Sequence, residues 1–312
     1  MSQVLSMPSY LNKVDTSILA EELGDIDASI YRAPDGYEFN LYKVGNPSAE
    51  KLVILPPYGM SYLLLSRLVK VLSGKYYVLS WESRGCPDYE ASVSDDRFDL
   101  VSQSEDFVNI LKQEGFDSFH YVGWCQAAQL LVHTLSVSDL QPKTISWIAP
   151  AGLGTSLVKS EFERCALPIY LEIEKLGSAY AEKLAMILDK YRDQPIREEI
   201  AAEKYTVLHL SDPDATHRFS RYMKLYEDNK SKVIELLGQV FEKHHVYVIH
   251  CKDDTYSHFS EAVQLEKKYP NVELELMPGG GHLQLFYEPD VIAGLILGYI
   301  NREAELAGEV VA

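Results

Sequence analysis

Two kinds of hydrophobic pattern alternate along the chain. Short, almost unbroken apolar runs occur at KLVILPP (51–57), YYVLSWE (76–82), FHYVGW (119–124), TISWIAPA (144–151) and HVYVIHC (245–251). Such runs read as strands buried on both faces; VELELMP (272–278) completes the series. Between them, apolar residues recur at helical spacing. Leu63, Leu64, Leu68, Val71 and Leu72 predict a helix over 61–73, and Phe98, Val101, Phe107, Ile110 and Leu111 one over 97–114. Further helices are expected over 125–136, 257–269 and 289–305. Ahead of them, ASIYRA and EFNLYKV flank Pro34-Asp35-Gly36, a strand–turn–strand signal.

Strand–helix alternation predicts an α/β fold with a mostly parallel central sheet. The alternation stops from 153 to 240, where YLEIEKLGSAYAEKLAMILDKY and RYMKLYEDNKSKVIELLGQVFEK are amphipathic and no buried strand stands out. The expected organisation is therefore an α/β core from 28–152 and 241–305, split after the sixth strand by a helical lid at 153–240. Residues 1–27 form an N-terminal extension, with a peripheral helix over 7–24, and 306–312 a tail. A lid so placed lies over the carboxyl ends of the strands, where open α/β sheets bind ligands.

Composition narrows the function. The 312 residues make one large domain or two ordinary ones, and 46% are apolar, enough for a sizeable core. A formal charge of -17 argues against nucleic acid and against an anionic membrane, and is most simply read as solubility. No apolar run approaches the ~20 residues of a membrane span, and MSQVLSMPSYLNKVD lacks the pattern of an export signal. Cys86, Cys125, Cys165 and Cys251 show neither CxxC nor metal spacing and read as reduced thiols of a cytoplasmic protein. His244-His245 has no third ligand at a sensible spacing, and Gly279-Gly280-Gly281 is not followed by the basic residue of a phosphate loop. Neither metal nor cofactor is expected.

Candidate chemistry lies at Gly123-Trp124-Cys125-Gln126-Ala127, between a strand and a helix. A nucleophile held on a tight strand-to-helix turn needs small residues two before and two after it, and Gly123 and Ala127 meet that need. The Gln126 N–H opens the helix and is placed to stabilise an oxyanion or a thiolate. Alone, the motif is better read as a buried packing cysteine. A nucleophile also requires a base and a group to orient it. Asp253 and Asp254 follow the strand at 245–251, and His282 sits on the glycine-rich loop after 272–278. His120 and His133 read as packed histidines. Trp124 reads as packing or acyl-pocket wall, and Phe162, Tyr170 and Tyr180 as lid core or the walls of a hydrophobic tunnel.

Over residues 28–305 the chain resembles the α/β-hydrolase superfamily. LPPYGMSYLLLSRLVKVL is similar to that family's segment after the third strand, SWESRGCP to its Asp-x-Arg-Gly turn, IHCKDDTYS to its acid turn and MPGGGHLQLFYEPD to its histidine loop. The resemblance implies a Cys125–His282–Asp254 triad, Asp254 being preferred to Asp253 because it stands three residues after Cys251, which occupies a glycine place. It also implies an oxyanion hole from the backbone N–H groups of Tyr58 and Gln126. The sequence departs from the pattern at Pro56-Pro57 for His-Gly, at Glu82 for Asp, and at Cys125 for serine. In the elbow alone, the cysteine resembles dienelactone hydrolases, polyhydroxyalkanoate synthases and cysteine-type thioesterases. The expected function is acyl transfer or hydrolysis through an acyl-S-enzyme. Substrates would be acyl thioesters of coenzyme A or an acyl carrier protein, with secondary metabolism as one setting. A cysteine-dependent ester or lactone hydrolase and a non-catalytic binding protein of the same fold are the alternatives.

Overall fold

The computed structural model describes residues 26–86, 95–191 and 197–308. The expected helix at 7–24 lies outside them. In chain order the elements open with the hairpin β1 (Asp27–Arg32) and β2 (Glu38–Val44), then β3 (Lys51–Leu55), α1 (Ser66–Leu72), β4 (Tyr77–Trp81) and α2 (Leu100–Glu114). They continue with β5 (His120–Trp124), α3 (Ala127–Val137) and β6 (Ile145–Ile148). Five helices follow: α4 (Glu161–Cys165), α5 (Leu167–Leu176), α6 (Ser178–Asp189), α7 (Ala201–Leu210) and α8 (Pro213–Lys243). The chain closes with β7 (Val246–Cys251), α9 (Ser260–Lys268), β8 (Val272–Met277), α10 (Gln284–Tyr287) and α11 (Pro289–Ala307).

The strands form one eight-stranded sheet in the order β1-β2-β4-β3-β5-β6-β7-β8. β2 is antiparallel to β1 and β4, and all other pairings are parallel. The apolar runs lie at the middle: every residue of β5, β6 and β7 is buried. β8 at the edge alternates instead, as a strand with one wetter face should. α1 packs against α11, and α2 against α3. α8 packs against α3, α5 and α6, so it joins the inserted helices to the core.

Three helices begin or break differently from the sequence pattern, each for a local reason. The stretch 61–73 divides into a 3-10 turn, Tyr62–Leu64, and α1. Asp99 caps α2 by accepting from the N–H groups of Val101 and Ser102, so Phe98 falls in a preceding 3-10 turn. The stretch 170–191 breaks at Gly177, whose φ of 86° ends α5 and starts α6.

A buried ion cluster fixes the loop after β4. Arg84 grips Asp106 of α2 at 2.6 and 2.7 Å and Asp35 of the β1–β2 turn at 2.7 Å. Beside it, Glu82 accepts from the Tyr42 hydroxyl at 2.9 Å and the Tyr62 N–H at 2.7 Å. The Glu82 carboxylate thus anchors the segment that leads from Tyr58 into α1.

Candidate active site

β5 ends in a sharp turn. Cys125 adopts φ 55°, a left-handed conformation costly for a non-glycine residue, before α3 starts at Ala127. Its N–H donates to the Ile148 carbonyl at 2.9 Å, and its carbonyl accepts from Ala128 and Ala151 at 3.3 Å each. The turn is packed from below by Tyr121, whose hydroxyl donates to the Ala127 carbonyl at 3.0 Å. A Cβ on Gly123 would stand 2.7 Å from the Tyr121 ring, so nothing larger than glycine fits there.

Asp254 and His282 meet beside this turn. His282 Nδ1 lies 2.7 Å from Asp254 Oδ2, and the Asp254 carboxylate is fully buried. Its other oxygen, Oδ1, accepts from the N–H groups of Tyr256 at 2.8 Å and Ser257 at 2.9 Å. Burial works against the Asp254 charge, but His282 and the N–H donors outweigh it and hold the carboxyl below its ordinary range. Burial likewise opposes a charged His282. The Asp254 carboxylate and a hydrogen-bonded Cys125 prevail and raise its pKa to about 10. With Nδ1 turned to Asp254, Nε2 is left for the sulfur. Asp253 does something else: its carboxylate accepts from the N–H groups of Gly280 (3.2 Å) and Gly281 (2.9 Å), which ties down the loop carrying His282.

The two backbone donors expected to face an oxyanion are unengaged. Neither the Tyr58 nor the Gln126 N–H donates to any acceptor among the described residues. They lie just past the carboxyl ends of the neighbouring strands β3 and β5, where Leu55 pairs with Gly123. Pro56-Pro57 does not close the Tyr58 donor: Met60 N–H bonds back to Pro57, and Gly59 N–H to Ser83 Oγ at 3.1 Å. The Tyr58 side chain turns away and stacks on Tyr222, with ring centroids 5.5 Å apart.

Above Cys125 lies a cavity of about 190 Å³. Trp124, Phe162 and Tyr170 line it together with Cys125, Gln126 and His282. Tyr180 does not: it is 44% exposed on α6, under Lys183, and belongs neither to a tunnel nor to a core. Its place on a helix face was not fixed by the amphipathic pattern. The pattern also missed Tyr256, Phe219 and Tyr226, which line the same cavity. His282 sits between two rings, Trp124 at 5.3 Å and Tyr256 at 5.1 Å. From Tyr256 the aromatic contacts run through Phe162 (5.8 Å) and Tyr170 (6.3 Å) to Phe219 (4.8 Å). Tyr256 stands two residues after Asp254, and that closeness was its one signal in the sequence.

Three other histidines have ordinary partners. His120 Nδ1 lies 2.9 Å from Thr144 Oγ1, and His133 Nδ1 2.8 Å from Ser104 Oγ. His245 pairs with Glu303 at 3.4 Å. All four cysteines are free thiols. Among the described residues, no group of three or more His, Cys, Asp or Glu could hold a metal ion, and no helix is long and apolar enough to cross a membrane.

No protein-family model matches the chain, and neither does any curated protein. Solved structures do. The chain is similar to a bacterial membrane phospholipase A described as a virulence factor, at TM-score 0.71 and 15% identity over 95% of this chain and 93% of that one. It is similar to a putative lipase of Acinetobacter baumannii AYE (TM-score 0.70, 12% identity, 93% and 96% covered) and to an esterase of Exiguobacterium antarcticum (0.67, 12%, 88% and 99%). At such identities the likeness establishes the fold: this is an α/β-hydrolase fold, with an eight-stranded, mostly parallel sheet.

Proposed function

We propose that the protein is an acyl-transfer enzyme that works through an acyl-S-enzyme on Cys125. The observation that carries this reading is the linked set of strained Cys125, ring-flanked His282 and buried Asp254 at the floor of a mostly apolar cavity. A packing cysteine has no need of a left-handed backbone or of an imidazole held by a buried carboxylate. A non-catalytic binding protein would not need that orientation either.

The steps follow from the partners. Asp254 holds His282 with its proton on Nδ1 and stabilises the imidazolium. With its pKa raised, His282 already holds on Nε2 the proton given up by Cys125, and the thiolate forms a C–S bond to the substrate carbonyl carbon. The carbonyl oxygen becomes an oxyanion between the Tyr58 and Gln126 N–H groups, donors worth ~3 kcal/mol each in comparable sites. The leaving thiolate departs with its C–S bond broken and takes the proton from His282. His282 then removes a proton from water or a second acceptor, which attacks the acyl carbon and releases the Cys125 thiolate.

Sulfur selects the substrate class. Exchange of one thioester for another is close to even in energy, whereas an acyl-thioenzyme lies uphill of an oxygen ester. The substrate is thus an acyl thioester of coenzyme A or a carrier protein, and the chain a thioesterase or acyltransferase, with secondary metabolism one setting for it. The helices between β6 and β7 act as a lid over the acyl chain. A reduced Cys125 suits the cytoplasm. The esterases and lipases among the similar folds favour a second reading, cysteine-dependent ester hydrolysis. Steady-state turnover of a thioester and its matched oxygen ester separates the two. We expect kcat/KM to favour the thioester by about a hundredfold or more; the reverse ranking assigns the protein to the esters.

A further inference from the structure

The wall of the cavity over Cys125 is rich in rings. Aliphatic side chains such as Leu64 and Leu210 contribute to it, but six of its side chains are aromatic: Trp124, Phe162, Tyr170, Phe219, Tyr226 and Tyr256. Three of the six keep uncovered surface: Phe162 and Tyr170 are only half-buried, and Tyr256 is 42% exposed. Starting at His282, the ring planes of Tyr256, Phe162 and Tyr170 turn by only 25°, 24° and 29° at successive contacts. Phe219 ends the run edge-on, at 84° to Tyr170. A further ring can join such a series by offset stacking or by an edge contact, the two arrangements that aromatic pairs favour. Among the described residues no Asp, Glu, Lys or Arg side chain lines the cavity, so a charged group away from His282 would be stranded there.

Resting on the acyl-transfer reading, we propose that the substrate's acyl group carries an uncharged aromatic ring, separated from the thioester carbonyl by one or two carbons and seated against Phe162, Tyr170 and Tyr256. Size limits the group. A cavity of about 150 Å³ holds one benzene. The cavity of about 190 Å³ here leaves room for a ring and about one or two further carbons. With the carbonyl carbon bonded to Cys125 at the floor, the ring meets the side chains of the lid. Aromatic pairs gain from the contact of their quadrupoles as well as from area. A saturated ring on the same carbon skeleton buries at least as much apolar area but makes no such contact, and it is thicker. The surface left open on three rings is what an aromatic acyl group covers.

The test measures initial rates of Cys125 acylation by mass spectrometry with N-acetylcysteamine thioesters of butanoate, phenylacetate, 3-phenylpropanoate, cyclohexylacetate and 3-cyclohexylpropanoate. Each rate is divided by that of the same thioester with free glutathione, which removes intrinsic reactivity. The expected result is that one phenyl thioester exceeds its cyclohexyl counterpart by about tenfold, the gain of about two ring contacts. The ratio should fall toward one in Phe162→Leu and in Tyr170→Leu, which keep an apolar side chain in place. Two variants guard against one that fails to fold, and acylation by butanoate shows that a variant is folded. A phenyl-to-cyclohexyl ratio of one or less at both spacings, or failure of all four ring-bearing thioesters, overturns this inference alone when butanoate still acylates Cys125. So does a preference that survives in both variants. Absence of acylation by all five overturns the acyl-transfer reading beneath it.

Discussion

The floor and the roof of the cavity are built differently. The floor comes from strand ends: the Cys125 N–H is bonded to Ile148, the Asp254 carboxylate to two N–H groups, and the His282 loop to Asp253. The roof comes from helices between β6 and β7 that meet the floor mainly through side chains, chiefly the stacked rings of Tyr256, Phe162 and Tyr170, with one backbone bond from the Phe162 N–H to the Thr255 carbonyl at 2.9 Å. Large apolar residues there remain open to water, among them Ile169, Leu176, Met186 and Ile187. Backbone hydrogen bonds fix the position of a reacting atom, whereas aromatic contacts can be exchanged with little effect on the fold. On the proposed reading, the floor is therefore the place for chemistry and the roof the place for selectivity.

Substitutions can break this contrast. The largest effect is expected from His282→Ala, which removes the proton carrier and should lower the Cys125 acylation rate by about 10⁴-fold or more with the fold intact, as read by stopped-flow kinetics and circular dichroism. Asp254→Asn should follow at roughly 10³ to 10⁴-fold, because the imidazole loses the carboxylate that sets its tautomer. Gly123→Ala drives a Cβ into the Tyr121 ring and should cost about 1–3 kcal/mol in chemical denaturation. On the roof, Phe162→Ala should change stability by only about 1 kcal/mol while shifting KM between short and long acyl chains. Tyr180→Ser, on the exposed face of α6, should change neither stability by more than about 0.5 kcal/mol nor turnover. Equal effects of roof and floor variants on the rate of chemistry would remove the distinction.

Protonation sharpens the same contrast. The raised His282 pKa means that its charge adds stability in full below its ordinary value of 6.5, and that this is lost as pH climbs through about 10. The depressed Asp254 pKa adds stability above the ordinary carboxyl value of 3.8, lost as pH falls through its lower folded value. The pair thus supports the fold across neutral pH. NMR of the His282 ring should show a midpoint well above 6.5 that drops in Asp254→Asn.

Much of the floor was legible in the sequence because it depends on strand ends. Continuous apolar runs marked β3 to β7, and the residues just past them, Cys125 and Asp254, inherit their places from the sheet. Glycines and a short loop did the same for His282. The roof was less legible. Both amphipathic stretches were visible, but Gly177 divides one of them, and the direction of each helix face is set by partners distant in sequence. Hence Tyr180 points to solvent, while Tyr226 and Phe219 of α8 reach the cavity. The pairing of Asp253 with Gly280 and Gly281 was hidden for the same reason: no periodicity in the chain encodes a contact between two loops.

The most direct test of the account is intact-mass analysis of the protein incubated with a panel of acyl thioesters, before and after His282→Ala. The account predicts an acyl adduct on Cys125 that disappears on Cys125→Ala and is strongly slowed without His282. A full panel with no adduct on Cys125, or adducts that form equally fast without His282, would contradict it.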